Sequence, residues 1–517
     1  MEHDVVHRDG GESERERGLE ALTGTSLTFY GGVDEIGGNK FLLETDRTRV
    51  FLDFGMSFSK VGDYFSEFLQ PRKLNGMGDY WALNILPRLP GVYRGDYLKH
   101  MGLPGEERAV DGVIISHAHM DHIGDVPFLR NDIPLIAGKA SFGIMRALEE
   151  TGSGPSEYLR MQPSFMLGDA KNGGMKRLTA RDLDPLARPL IEYGATAAGV
   201  GDIQVRGVPE DHSLPGAHGV LIEASRTRIA YTGDFRFHGR HGKKSWSFIE
   251  EAKRFEPDYL LVEGTRVSEE QGTSEAQVRD EIQREIEATP ELVVANWPVR
   301  DTDRLLSFYE ATKAAGRALC ISSKQAYVLQ QLKEAGEDEL PSLDDRHLRI
   351  YLPRKGWGLL GREGVPTELA LQDYKTWERD FAAHPRAIQA ADIRAHPRDF
   401  VVRVDFFELA QLIDLQPPKG SRYIRSITEP FDEEGAIDKA RADRWLQHFG
   451  LFPYRQTHAS GHASGPELWK AIGEMRPRAV IPIHTERHEL FEKNLEPLGI
   501  KVLRPQHALA GGKPMAL

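Results

Sequence analysis

Short apolar runs of β-forming residues, each closed by a Gly or Asp turn, open the chain: SLTFY (26–30), KFLLE (40–44) and RVFLDF (49–54). GVIIS (112–116) lacks polar alternation, the pattern of a strand buried on both faces. IQVRGV (203–208), GVLIEA (219–224), RIAYTG (228–233) and YLLVEG (259–264) continue the series. A strand-rich half with few helical periods predicts one layer of a sandwich rather than a doubly wound sheet. After Gly264 the period changes. Ser274 and Gln277 stand at capping-box spacing and open a helix over SEAQVRDEIQREIEA. ELVVAN (291–296) reads as a strand, and Leu305, Phe308, Tyr309 and Thr312 share a helical face that Gly316 ends. Strand ALCIS (318–322) and helix KQAYVLQQL follow, so this part is an α/β unit with a parallel sheet. The chain closes with strand AVIPI (479–483), a helix near 486–494 and strand KVL (501–503). Residues 61–110 interrupt the pattern with Tyr64, Phe65, Phe68, Tyr80, Trp81, Tyr93 and Tyr97 among Gly and Pro. They read as an inserted, partly helical cap, with a long packed loop as the alternative.

Composition narrows the class. A chain of 517 residues exceeds one ordinary core and predicts two or three domains. With 28% charged and 40% hydrophobic residues it is globular, and no apolar run approaches the roughly 18 residues of a bilayer crossing. No membrane partner is expected. The net charge of −12 argues against coating nucleic acid through bulk positive potential, but leaves room for a local site where metal ions meet phosphate. The single cysteine, Cys320, excludes a disulfide framework and a thiolate zinc cluster, so a reduced, cytoplasmic setting is the expectation. The charged N-terminus has no apolar core of a signal peptide and reads as a flexible tail over 1–24.

The sharpest chemistry is SHAHMDHIGD at 116–125, directly after a buried strand. His117, His119, Asp121 and His122 put three imidazoles and a carboxylate within six residues, in a chain with 19 histidines among 517 residues. Neutral imidazole suits Zn and related divalent ions, and carboxylate adds a hard oxygen ligand. His117 and His119, two apart on a strand-end loop, can point onto one ion, while Asp121 and His122 can face a second.

SHAHMDHIGDVPFL resembles the HxHxDH signature of the metallo-β-lactamase superfamily, and further marks follow in order. Asp53 in FLDFG resembles the aspartate that braces the metal-binding loop. His212 in EDHSLPG resembles the third histidine ligand, Asp234 in YTGDFRF the bridging carboxylate, and His484 in IPIHTE the last histidine. By that resemblance His117, His119 and His212 hold one ion, Asp121, His122 and His484 the other, and Asp234 is shared. The cofactor is two divalent metal ions, Zn or Mn. Asp234 and His484 are 250 residues apart, enough to hold the whole α/β unit. That insertion resembles the β-CASP nuclease branch, whose acidic motif A is matched by Glu263 in LLVEGTR, motif B by His462 in HASGHASGPEL and motif C by His484. HASGHAS, GGVDEIGGN and GRALCISSK resemble ribonuclease J, and EGTR, YIRSITEPF and IPIHTE its shorter archaeal-type members. Two departures stand out. No counterpart of the extra C-terminal domain of bacterial ribonuclease J is expected, and 61–110 matches no family motif.

The resemblance implies an α/β protein: a metallo-β-lactamase αββα sandwich (25–270, carrying the 61–110 insertion, and 451–517) with an inserted α/β β-CASP domain (271–450). It implies a metal-dependent ribonuclease acting 5′→3′ as an exonuclease, with endonuclease action as a second mode. Asp121 would orient the nucleophile, and His462, positioned by Glu263, would serve the phosphate or the leaving oxygen. Ser322, Ser323 and Lys324, where a strand meets a helix N-terminus, and Ser460 and Ser464 beside His462, are candidate phosphate contacts, with ordinary helix capping as the alternative. The expected partner is single-stranded, 5′-monophosphorylated RNA, with DNA as a second candidate and a homodimer as a candidate assembly. The basic run Arg236, Arg240, Lys243 and Lys244 could line the groove by which substrate enters. The rival functions are a DNA-processing or repair nuclease of the same branch, a non-nucleolytic metallo-hydrolase, and an inactive RNA-binding scaffold.

Overall fold

Each apolar run of the first half forms a strand, and the strands assemble into two facing sheets of seven in the computed structural model. The structure describes residues 24–508 and 513–517, except 67, 153–155, 195–196, 271 and 431–432. The tail expected over 1–24 therefore lies, up to residue 23, outside the described residues. In the first sheet Arg49–Leu52, Gly112–Ile114, Leu135–Ala137 and Leu190–Glu192 run parallel, while Phe41–Glu44, Ser26–Phe29 and Met515–Ala516 complete it in antiparallel pairs. In the second, Ile203–Pro209, His218–Ala224 and Thr227–Tyr231 form a meander. Tyr259–Glu263 and Ala479–Ile483 then add in parallel.

Alternate residues of both sheets bury a shared inner layer that includes Phe41, Val50, Leu52, Ile114, Val220, Ile222, Ile229 and Ile481. Opposite residues bury outward against helices. Leu221, Leu260, Val262 and Val480 meet the helices Gly242–Phe255 and Gly465–Met475. Phe51, Val113 and Leu135 meet the helix Lys139–Thr151 and residues 77–98. The result is an αββα sandwich. Within 61–110 there are only short helices, Gly78–Ala82 and Gly95–His100 among them. Met77, Leu86, Tyr93 and Leu98 are buried, and Tyr80 and Tyr97 pack on Phe128, whereas Phe68 is 89% exposed.

Between Glu263 and Ala479 the chain leaves the sandwich and builds a third sheet of seven strands, every pair parallel. Its helix Glu275–Ala288 carries the capping box at Ser274 and Gln277, and Ala318–Ser322 leads into the helix Ser323–Glu334. That helix packs on Lys139–Thr151 of the sandwich, so one apolar core runs through both units. Ala479–Ile483 then returns beside Tyr259–Glu263. The carboxyl ends of Arg49–Leu52, Gly112–Ile114, Thr227–Tyr231, Tyr259–Glu263 and Ala479–Ile483 thus meet along one edge of the sandwich, where ligands bind in parallel sheets.

Candidate metal centre

Seven side chains from four loops converge at that edge. Donor atoms of His117, His119, His212 and Asp234 lie within 4.8 Å of one another, and so do those of Asp121, His122, Asp234 and His484. Asp234 belongs to both groups. His119 Nδ1 lies 3.1 Å from His117 Nε2 and 2.9 Å from His212 Nε2. Asp234 Oδ2 lies 3.1 Å from His122 Nε2 and 3.7 Å from His484 Nε2, which is 3.1 Å from Asp121 Oδ2.

Local backbone explains how the loops deliver these groups. Asp234 follows Gly233, whose positive φ of 56° comes with a Cβ position only 2.6 Å from Ser116 Cβ, so a side chain there would collide with the histidine loop. Gly461 lets its chain press against His212, where an added Cβ would fall 2.8 Å from the ring. Asp53 and His484 are non-glycine residues at φ of 55° and 51°, backbone strain placed where the site needs it.

Outer partners fix the rings. Asp53 accepts from Ser116 N at 2.7 Å and Ser116 Oγ at 2.7 Å, pairs with His122 Nδ1 at 2.7 Å, and also accepts from Tyr231 Oη. His212 Nδ1 donates to Gly461 O at 2.7 Å, His117 Nδ1 lies 3.1 Å from Ser116 Oγ, and His484 Nδ1 lies 2.8 Å from Thr265 Oγ1. With the Nδ1 proton directed outward on these four rings, the Nε2 lone pairs face inward and have no proton to share. Asp234 Oδ1 is buried without a hydrogen-bond partner. Buried lone pairs aimed at one another are costly unless a cation sits between them, and oriented imidazoles with outer partners are how proteins hold metals. The donor set of His and Asp is compatible with divalent ions, zinc among them.

Electrostatics agree. Burial, then the neighbouring histidines, hold His117 and His119 well below the usual imidazole range, and burial with the nearby His462 holds His212 down at about 3. These rings are neutral, the ligand form. His122 and His484 move the other way: burial opposes the charged form, but Asp234 and its neighbouring carboxylates outweigh it, which marks a demand for positive charge at that spot.

Beside the two cages stands a dyad. His462 Nδ1 is 3.1 Å from Glu263, whose carboxylate also accepts from Phe235 N and Thr265 N, each at 3.2 Å. His462 Nδ1 is 3.8 Å from Asp234. Burial lowers the affinity of His462 for its proton, but Glu263 and then Asp234 raise it to a pKa of about 9.

The serines fare differently. Ser322 caps its helix by accepting from Gln325 N, and Ser460 Oγ accepts from His462 N at 3.2 Å. Ser464 donates to Glu467 at 2.9 Å in a capping box and is 2% exposed, so its hydroxyl is spent on the helix. Ser323 is buried and Lys324 exposed in the first turn. The basic run divides: Lys243 and Lys244 are exposed, and the two arginines turn to internal partners. Arg236 is fully buried, paired with Asp303 at 2.6 Å and Asp211 at 3.3 Å, and Arg240 pairs with Glu310. Buried cations are retained where carboxylates neutralise them, and these carboxylates come from distant segments. Ser116, Thr265 and Tyr231 are functional neighbours that reading the chain alone passed over. Thr265 had a signal, lying two residues after Glu263.

Fold and cage together define a metallohydrolase of the metallo-β-lactamase type. Residues 90–295 match the Beta-lactamase superfamily domain, and residues 455–505 match the Zn-dependent metallo-hydrolase RNA specificity domain. These two matches and the ribonuclease J relatives that run across most of the chain support a metallo-β-lactamase, ribonuclease J-like chain of the β-CASP branch. It is 23% identical over 479 residues to ribonuclease J of Thermus thermophilus, covering 89% of this chain and 68% of that protein. Against ribonuclease J of Helicobacter pylori identity is 25% over 220 residues, 42% of this chain, and the chain spans about a quarter of that relative (24%). Transcription termination factor FttA of Pyrococcus abyssi is 26% identical over 218 residues, 41% of this chain and 28% of that protein. A crystal structure of a protein of unknown function from Enterococcus faecalis shares the fold at a TM-score of 0.67 and 22% identity, covering 96% of this chain and all of that one (100%). No described helix is long and apolar enough to cross a membrane.

Proposed function

We propose that this chain is a metal-dependent ribonuclease that hydrolyses RNA phosphodiester bonds, acting 5′→3′ as an exonuclease with endonucleolytic cleavage as its second mode. The observation that carries the reading is the Glu263–His462 dyad, set at 3.1 Å beside a shared-aspartate cage where the third sheet meets the sandwich. The match of residues 455–505, which hold His462 and His484, and the relatives named ribonuclease J support RNA as substrate. In this reading 25–270 and 451–517 form the hydrolase domain and 271–450 the β-CASP domain.

We assign His117, His119 and His212 to one divalent ion, Asp121, His122 and His484 to a second, and Asp234 to both. Such ions, when bound, neutralise phosphate charge and lower the pKa of water into the neutral range. Asp121, 3.1 Å from His484, orients the attacking water from the open side of the cage. His462 carries a proton at neutral pH because Glu263 accepts from its Nδ1, and Nε2 delivers a proton to the departing 3′ oxygen. Ser322, Ser323 and Lys324 at the start of the helix Ser323–Glu334, and Ser460 in its loop, are the candidate contacts for the substrate's phosphates. The buried Cys320 suits a reducing cytoplasm.

The test uses 5′-phosphorylated single-stranded RNA and DNA oligonucleotides labelled at either end, with Mn or Zn. Release of mononucleotides from the 5′ end of RNA supports the reading. Equal cleavage of DNA moves the protein to the DNA-processing reading, and cleavage of neither strand refutes a nuclease.

A further inference from the structure

Among the described residues the other large buried arginines have their charge balanced or their donors saturated. Arg94 pairs with Asp96 at 2.7 Å, Arg236 with Asp303 at 2.6 Å, Arg304 with Glu275 at 3.0 Å and Arg403 with Asp405 at 2.6 Å. Arg188 donates to four backbone carbonyls. Arg300 is the exception. It lies half-buried in the turn between the strand Val293–Asn296 and the helix Thr302–Ala314. Of the five N–H donors of its guanidinium, only Nη1 has a described acceptor, the carbonyl oxygen of Ala118 at 3.2 Å.

Ala118 lies between the cage residues His117 and His119, so this one bond ties the third sheet to the cage and leaves the rest of the fork uncommitted. No described carboxylate pairs with Arg300. His119 and Asp121 feel its charge on one side and Lys324 on the other. Lys324 is likewise without a described ion pair, because the nearby Asp405 and Glu408 are both taken by Arg403. Arg300 and Lys324 follow Val293–Asn296 and Ala318–Ser322, two parallel strands flanking Phe400–Arg403, and so emerge at the same sheet edge. Two strand spacings, about 10 Å, separate their backbones, a gap that two long side chains can close on one anion. A guanidinium fork half out of water with no ion-pair partner in contact is a standing cost unless an anion completes it, and the fork matches two non-bridging phosphate oxygens.

We propose that Arg300, with Lys324 opposite it, is a binding site for a phosphate of the nucleic-acid strand, alongside the phosphate held at the cage. The inference rests on the nuclease reading for the identity of the ligand. Arg300 is a positioning residue that holds the strand while the dyad and cage act on the bond.

The experiment measures binding apart from cleavage. Metal-loaded protein carrying His462→Ala, so that the strand is retained, is titrated with fluorescent 10-nucleotide single-stranded RNA bearing a 5′-phosphate or a 5′-hydroxyl, across a salt series. Adding Arg300→Gln should weaken Kd about tenfold and flatten the slope of log Kd against log salt by about 0.7, the value for one lost phosphate contact on a single strand. Arg300→Lys should restore the slope while recovering only part of the affinity, since it keeps the charge and loses the fork. Weakening with both RNAs identifies an internal phosphate, and weakening with the 5′-phosphate form alone identifies the terminal one. An unchanged Kd and slope in Arg300→Gln overturns the proposal. Absence of RNA cleavage by the wild-type protein overturns the nuclease reading instead, so the two failures are separable.

Discussion

Thr265 makes the most economical case at the scale of single residues. Its hydroxyl sits 2.8 Å from His484 Nδ1 and touches no other cage ring, so Thr265→Val removes an orienting partner and little else. Metal affinity should fall about 10–100-fold with circular dichroism unchanged, read by competition with a chelating dye. His462→Ala should behave in the opposite sense: the metals stay and turnover drops by about 10²–10⁴. Retained turnover would remove His462 from the chemistry. His458 gives a pH prediction. Burial, then the cation of Arg304 at 3.3 Å, hold its pKa at about 3, and its Nε2 is buried without a partner. The folded protein keeps this ring neutral while the unfolded chain protonates it below about 6.5, so stability is lost as pH falls from 6.5 toward 3. His458→Gln should reduce the loss between pH 7 and pH 5 by about 1–2 kcal/mol in urea titrations. An equal loss in both proteins would contradict it. At this scale HxHxDH was legible because its spacing is local. The other cage residues became legible only through family resemblance, and Ser116, Thr265, Tyr231 and Arg300 owe their proposed roles to contacts no spacing announces.

Loops and helices are joined by buried charge at the scale of elements. Arg236 donates nothing to solvent, being fully buried. It ties the turn after Asp234 to Asp211 beside the cage residue His212, to Ser460 O at 2.9 Å in the dyad loop, and to Asp303 on the helix Thr302–Ala314. Arg236→Met keeps the volume but strands Asp211 and Asp303, which are 2% and 4% exposed. A loss of about 3–5 kcal/mol in denaturant unfolding is expected. A loss under 1 kcal/mol would show that the carboxylates find water instead. In the chain this arginine reads as part of a basic run at the substrate's entry groove, because its partners lie 25 and 67 residues away. Elements with a full period were legible to within a residue or two: Ala318–Ser322 and Ala479–Ile483 match the apolar runs, and Glu275–Ala288 starts at its capping box. The stretch from 335 to 475 was not, since Leu348–Tyr351, Phe400–Arg403 and Arg422–Arg425 are four-residue strands whose identity depends on parallel neighbours.

For the whole molecule, the decisive fact is where the inserted sheet leaves and rejoins. Because Ala479–Ile483 returns beside Tyr259–Glu263, the insertion delivers His462 and His484 to the same edge as His117, His119, Asp121, His122, His212 and Asp234. The sandwich supplies the cage, the third sheet supplies a wall over it, and the seam between them is where the proposed function puts a strand of nucleic acid. The account stands on that cage holding two ions at once. Elemental analysis of chelated and reconstituted protein tests it directly, comparing wild type with His212→Ala and His484→Ala. The account predicts two divalent ions per wild-type chain and the loss of one from each variant. Wild-type protein that retains none, or variants that retain as much as wild type, would contradict it.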